Sequence, residues 1–156
     1  MSQIICSHIE YKQAKYSYFG RVYFERDDTL FALLGGGPHP ENARPCFALR
    51  GIPADANLLT STAFYLSVKD ADTDRERSVS RRAAERWVDQ GDAMWMGANH
   101  ITDPDYFSPS WLLTEELEQV YREYQRRDAP SLLSVAATLA AMRLLPEARL
   151  VYWFGN

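Results

Sequence analysis

The sequence predicts an α+β fold: a single domain over residues 1–156, with a mixed or antiparallel sheet that holds the N- and C-terminal strands in its core, and three to four helices packed on that sheet. Three observations predict it. The chain opens on an alternating stretch, Ile4 to Tyr11, and closes on an apolar one, Leu150 to Phe154. Between them lie capped stretches of helical period, and no internal repeat or linker divides the chain.

In Ile4–Tyr11, alternation puts Ile5, Ile9 and Tyr11 on one face of a strand and Ile4, Cys6, His8 and Glu10 on the other. Tyr16 to Phe24 is a second extended stretch, with Gly20 marking a turn or bulge. Asp27 or Asp28 can cap a short helix through Leu34, which Gly35-Gly36-Gly37-Pro38 ends. That glycine run follows a helix instead of leading from a strand into one, so it lacks the setting of a phosphate loop. The segment from Pro38 through His39 and Pro45 reads as irregular, with His39 in solvent, and Phe47 to Pro53 as a stretch bent at Gly51.

Ala63 to Lys69 alternates as a third strand. Ser80 caps a helix over Arg81–Gln90 that Gly91 stops. Asp103 to Leu112 reads as a stiff polar and aromatic loop, because Pro104 and Pro109 fix their own φ and push Asp103 and Ser108 out of the helical region. A long helix begins at Thr114, with Glu115 and Glu116 in its first turn and Arg126 and Arg127 in its last, as the helix dipole favours. Pro130 opens the final helix, largely apolar through Met142, and Pro146 stops it.

Composition narrows the function. With 46% hydrophobic and 24% charged residues the chain is ordinary globular protein, and a net charge of −4 argues against coating nucleic acid. The arginines at 75, 77, 81, 82 and 86 read as solvated surface balanced by nearby acids. Cys6 and Cys46, with no signal peptide or long apolar run, predict a reduced, cytoplasmic protein without a membrane segment, and neither has a partner at metal-finger spacing. No metal or other cofactor is expected.

Several stretches together resemble a family of small uncharacterised proteins of bacteriophages and bacteria that open Gly-Cys-Asp-Ile-His-x-His-x-Glu. Ser2 to Glu10 lies over that opening, Leu30 to Gly35 over a Leu-Phe-Ala-Leu-Leu-Ala-Gly helix, and Arg50 to Pro53 over Arg-Gly-Leu-Pro. Ser80 to Val88, Thr102 to Leu117 and Val151 to Asn156 resemble the family's Ala-Glu-Arg-Trp-Val, His-Ser-x-Ser-Trp-Leu-Thr and Val-Phe-Trp-Phe-Asp-Asn segments. The chain departs from the pattern where Ile4, Cys6, Phe107 and Gly155 replace an Asp, a His, a His and an Asp; His8, Glu10, Arg50, Ser108, Ser110, Trp111 and Asn156 match.

The resemblance implies a phage or prophage accessory protein, which in a phage-encoded case works in the host cytoplasm. Because the replaced positions are potential metal ligands, the preferred expectation is a non-enzymatic binder that counteracts host defence. It would sequester a small nucleotide-like ligand or block a host protein. Arg21, Arg26 and Arg50 would contact phosphate, Tyr18 and Trp111 would stack a base, and Ser108, Ser110 and Asn156 would complete the site. The alternative is a hydrolase of phosphate esters or amides, using His8, Glu10, His100 and Asp103 around a divalent metal or as an acid–base set. A third reading is a homo-oligomer in which the surplus among its nine tyrosines forms an interface.

Overall fold

Strand β1 (Ile4–Lys12) pairs antiparallel with β2 (Tyr16–Val22) on one side and with β8 (Arg149–Gly155) on the other. Polar Ser7, His8 and Glu10 are as buried as Ile5 and Ile9, so both faces of this central strand are covered. Strand β7 (Tyr106–Leu113) completes the sheet in the order β2-β1-β8-β7, so the two terminal strands are its centre, as the sequence predicts. The computed structural model describes residues 3–37, 44–70, 77–127 and 132–156 and forms two compact units, residues 1–57 with 107–156 and residues 58–106. His39, Arg75 and Pro130 fall outside the described residues.

In the first unit, one face of this sheet meets helices α1 (Asp28–Leu34), α4 (Thr114–Gln125) and α5 (Leu132–Arg143). Ile5, Ile9, Leu150, Tyr152 and Phe154 from the strands pack with Leu30, Phe31, Leu117, Val120, Leu139 and Met142 from the helices. Asp27 caps α1 by accepting from the Thr29 and Leu30 amides, and its second carboxylate oxygen accepts from the fully buried Tyr124 hydroxyl of α4. Gly35, at φ 102°, closes α1 in the left-handed region.

Gly36 has a different reason to be glycine. A Cβ there would stand 2.7 Å from the ring of Phe154, which is wholly buried. Gly36→Ala is expected to cost about 1–3 kcal/mol through this overpacking, measured by urea unfolding, while Gly37→Ala, with open space around its Cβ, changes little.

The second unit holds α2 (Leu58–Phe64), β3 (Tyr65–Lys69), β4 (Ser78–Ser80), α3 (Arg81–Asp89), β5 (Trp95–Met96) and β6 (His100–Thr102), with a sheet in the order β4-β3-β6-β5. Leu66, Val68, Ala84, Ala93 and Ile101 form its small core. The class is α+β as the sequence predicts, with two sheets in place of one and with α2 as an added helix. Among the described residues no helix is long and apolar enough to cross a membrane.

The stretch Asp103–Leu112 departs from the loop reading. Only its first residues turn, with Asp103 accepting from the Asp105 amide, and the rest is β7. A proline is tolerated there because β7 is an edge strand, where a missing N–H breaks no ladder. Ser108 bears the constraint, at φ 50°. The residues around Arg50 cover this edge: the Gly51 amide donates to the Pro109 carbonyl and the Arg50 guanidinium to the Trp111 carbonyl.

Candidate functional site

The second face of the first unit's sheet carries the polar residues. Because β8 lies beside β1 in antiparallel register, Glu10 faces Arg149 across the pair. Both side chains are almost fully enclosed, at 0% and 4% exposure. The Arg149 guanidinium donates to one Glu10 oxygen at 2.9 and 2.7 Å and to Asp55 at 2.9 Å, while the other Glu10 oxygen accepts from the Asn57 amide at 2.8 Å. The hydrogen bond from Arg149 holds the Asp55 carboxyl below its usual range.

The same guanidinium lies 3.3 Å from the centre of the Tyr16 ring and 5.9 Å from that of Trp111. On Trp111 a second guanidinium, that of Arg50, stacks at 4.5 Å, with Phe47 at 5.8 Å from it. Tyr16, Arg149, Trp111, Arg50 and Phe47 therefore alternate ring and cation, each cation answered by a carboxylate. For Arg50 that carboxylate is Glu116, held in a two-pronged ion pair that lowers the Glu116 pKa and raises that of Arg50. Glu116 also accepts from the Leu113 amide, which closes the start of α4. Ser110 accepts from the Arg50 amide and hydrogen-bonds the Tyr152 hydroxyl, which donates to the Leu34 carbonyl. Burial pushes the Tyr152 phenol well above its ordinary range, so the group stays neutral.

His8 sits two residues along from Glu10, edge-on to Tyr18 and to Trp153 at 5.3 Å each. Burial, then the Arg21 charge opposite it on β2, bring its pKa down to about 4, with Glu10 pulling the other way. The imidazole is neutral at pH 7.

Of the expected ligand contacts, Arg50, Ser110 and Trp111 are brought together, and Tyr18 and Arg21 gather instead around His8. Arg26 pairs with Asp28 at the start of α1, Ser108 holds the strained position in β7, and exposed Asn156 follows β8. Of the expected acid–base set, His8 and Glu10 belong to the first unit and His100 and Asp103 to the second. Asp103 is bound at 2.5 Å by Arg77, which also donates to the Phe64 carbonyl and lies 4.8 Å over Tyr106; His100 is exposed. Among the described residues no group of three His, Cys, Asp or Glu side chains could hold a metal ion.

A cleft of about 420 Å³ opens in the first unit beside this ladder. Tyr16 forms one wall, Leu113, Met142, Leu145 and Ala148 are its apolar lining, and Thr114, Glu115, Arg143 and Glu147 its polar lining. That volume lies within the range of small-molecule sites. None of the ligand contacts expected from the sequence lines it. Its residues come from β2, the junction of β7 with α4, the end of α5 and the turn before β8, and no sequence signal links them; among them Glu147 is a non-glycine residue at φ 44°. No family model, no curated protein and no solved structure matches the chain.

Proposed function

We propose that the chain is a non-catalytic binding protein whose cleft at Tyr16 holds a small ring-bearing ligand. One observation carries this reading: the acid–base groups of the sheet are consumed by internal partners, while the ring beside the cleft is held stiff by the Arg149 guanidinium on its face. Glu10 is saturated by Arg149 and Asn57, and His8 is enclosed and neutral, so neither resembles a poised base. A preorganised aromatic wall against an apolar lining suits a ligand that stacks. The family resemblance extends the reading to a phage-type accessory factor, acting in the host cytoplasm and counteracting defence by withholding a nucleotide-like molecule from its receptor.

A thermal-shift panel of nucleosides, nucleoside monophosphates and cyclic dinucleotides tests it, with each ligand recovered afterwards. A ligand at a hundredfold its dissociation constant adds about 2.7 kcal/mol, which for a chain of this size raises the melting temperature by roughly 5–10 °C. Tyr16→Ala is expected to weaken binding at least about tenfold, and the ligand should return unchanged. A product whose formation stops in His100→Ala or Asp103→Asn would overturn the reading in favour of a hydrolase.

A second reading, blocking of a host protein, draws on the edge of the second unit's sheet. There Met94, Trp95 and Met96 stand exposed in succession, an adaptable apolar surface. A panel with no binder at all would favour it.

A further inference from the structure

Helix α5 differs from the other long helices in what it shows to solvent. The exposed positions of α3 are Arg82, Glu85, Arg86 and Asp89, and those of α4 include Glu115, Gln119, Arg122 and Gln125, so both present polar outer faces. Helix α5 buries Val135, Thr138, Leu139 and Met142 against the core, yet its opposite side carries Leu133, Ala137 and Ala140, with Leu144 in the turn that follows. At 100° per residue these four fall within about 60° of arc. Leu133 is 82% exposed and Leu144 86%. A helix apolar all round is one that another element covers.

We infer that a second copy of this chain covers it, through an antiparallel α5–α5 contact about a two-fold axis. The spacing argues for the occupant. Leu133, Ala137, Ala140 and Leu144 follow each other at intervals of four, three and four, the seam of a coiled coil, and the order Leu, Ala, Ala, Leu reads the same in both directions. A two-fold axis requires that if one residue meets a second, the second meets the first. Laid antiparallel, Leu133 of each copy meets Leu144 of the other and the alanines face each other at the centre, where their size lets the backbones approach closely. Antiparallel helices also set their dipoles head to tail. The seam's one flanking charge within the helix, Arg143, is already answered by Glu118 on α4, so it adds no repulsion across the axis. The tyrosines expected at an interface are absent from this seam.

Two leucines and two alanines per copy bury less than the roughly 1,200 Å² of a stable complex, so the dimer is weak and reversible. Leu144 lies between Arg143 and Leu145, both lining the cleft, so pairing sets the second copy's Leu133 at the cleft's rim.

Sedimentation of the full chain over a micromolar to millimolar series tests the inference. The weight-average mass should rise from one copy towards two, and Leu133→Glu and Leu144→Glu should each weaken association at least about tenfold. Both positions are exposed, so both variants should melt with the parent protein, which excludes misfolding as the cause. Leu58→Glu, at an exposed leucine of the second unit, should leave the association intact. Mass of one copy at every concentration, association unchanged in both α5 variants, or growth beyond two copies would overturn it.

Discussion

Arg149→Met should destabilise the protein by about 3–5 kcal/mol, a fifth or more of the roughly 5–15 kcal/mol stability of an ordinary domain. The reason is what it leaves behind. Glu10 is fully buried, and one of its oxygens takes two hydrogen bonds from Arg149 and none from elsewhere among the described residues. Methionine fills much of the same space, so cavity formation adds little and the stranded carboxylate dominates. The control is the paired substitution Glu10→Leu with Arg149→Met. Removing both charges relieves the desolvation cost, and replacing buried ion pairs with apolar side chains is often neutral or better. Urea unfolding of the three variants decides it: a double variant no more stable than Arg149→Met alone would show that lost packing, such as the contact with Tyr16, governs the effect.

Acidification should cost nearly as much, through His8. Its pKa is about 4 in the folded chain against an ordinary 6.5. Above pH 6.5 neither state binds the proton and nothing is lost. Between 6.5 and 4 the unfolded chain takes it up and the folded chain refuses it, so stability falls as pH falls; below 4 the loss is complete. The difference, 6.5 − 4 = 2.5 units, corresponds to about 3 kcal/mol, most of it spent before the carboxylates titrate. His8→Gln should flatten the stability profile between pH 6.5 and 4.5. If that variant keeps the same acid slope as the parent, the titrating group is another.

These two residues also show where a sequence stops being readable. The alternation of Ile4–Tyr11 correctly sorts β1 into two faces, and the apolar close of the chain correctly puts Leu150–Phe154 in the sheet. The Cys6, His8 and Glu10 face suggests ligands or a base only while its neighbour is unknown. Arg149 and Trp153, which occupy that face, lie far along the chain, and no local pattern announces a pairing of that range. Asp103–Leu112 failed for another reason: proline rules describe the backbone of one residue, and whether Pro109 is in a loop or on a sheet edge depends on the strand beside it. Helix α2 is only seven residues long, and Thr60 and Thr62 weaken its pattern; β4, β5 and β6 are two or three residues long, too short for a period to register. The structure brings Arg50, Ser110 and Trp111 together, whereas the partner that occupies Arg50, Glu116, reads in the sequence as an ordinary first-turn acid.

The pairing of Ile4 with Gly155 has a consequence in time. The centre of the first unit's sheet joins β1 to β8, which leaves the ribosome much later, and closing a loop of that length costs roughly 4 kcal/mol of chain entropy before any contact repays it. During synthesis β1 can find only β2, and a lone hairpin is marginal in water. Ile5 and Ile9 therefore lack their β8 neighbours until residues 149–155 emerge, an interval in which chaperones can act on the nascent chain. Fusions or tags that delay β8, or that tether it away from β1, should reduce the yield of folded protein more than equal additions at the edge strand β2.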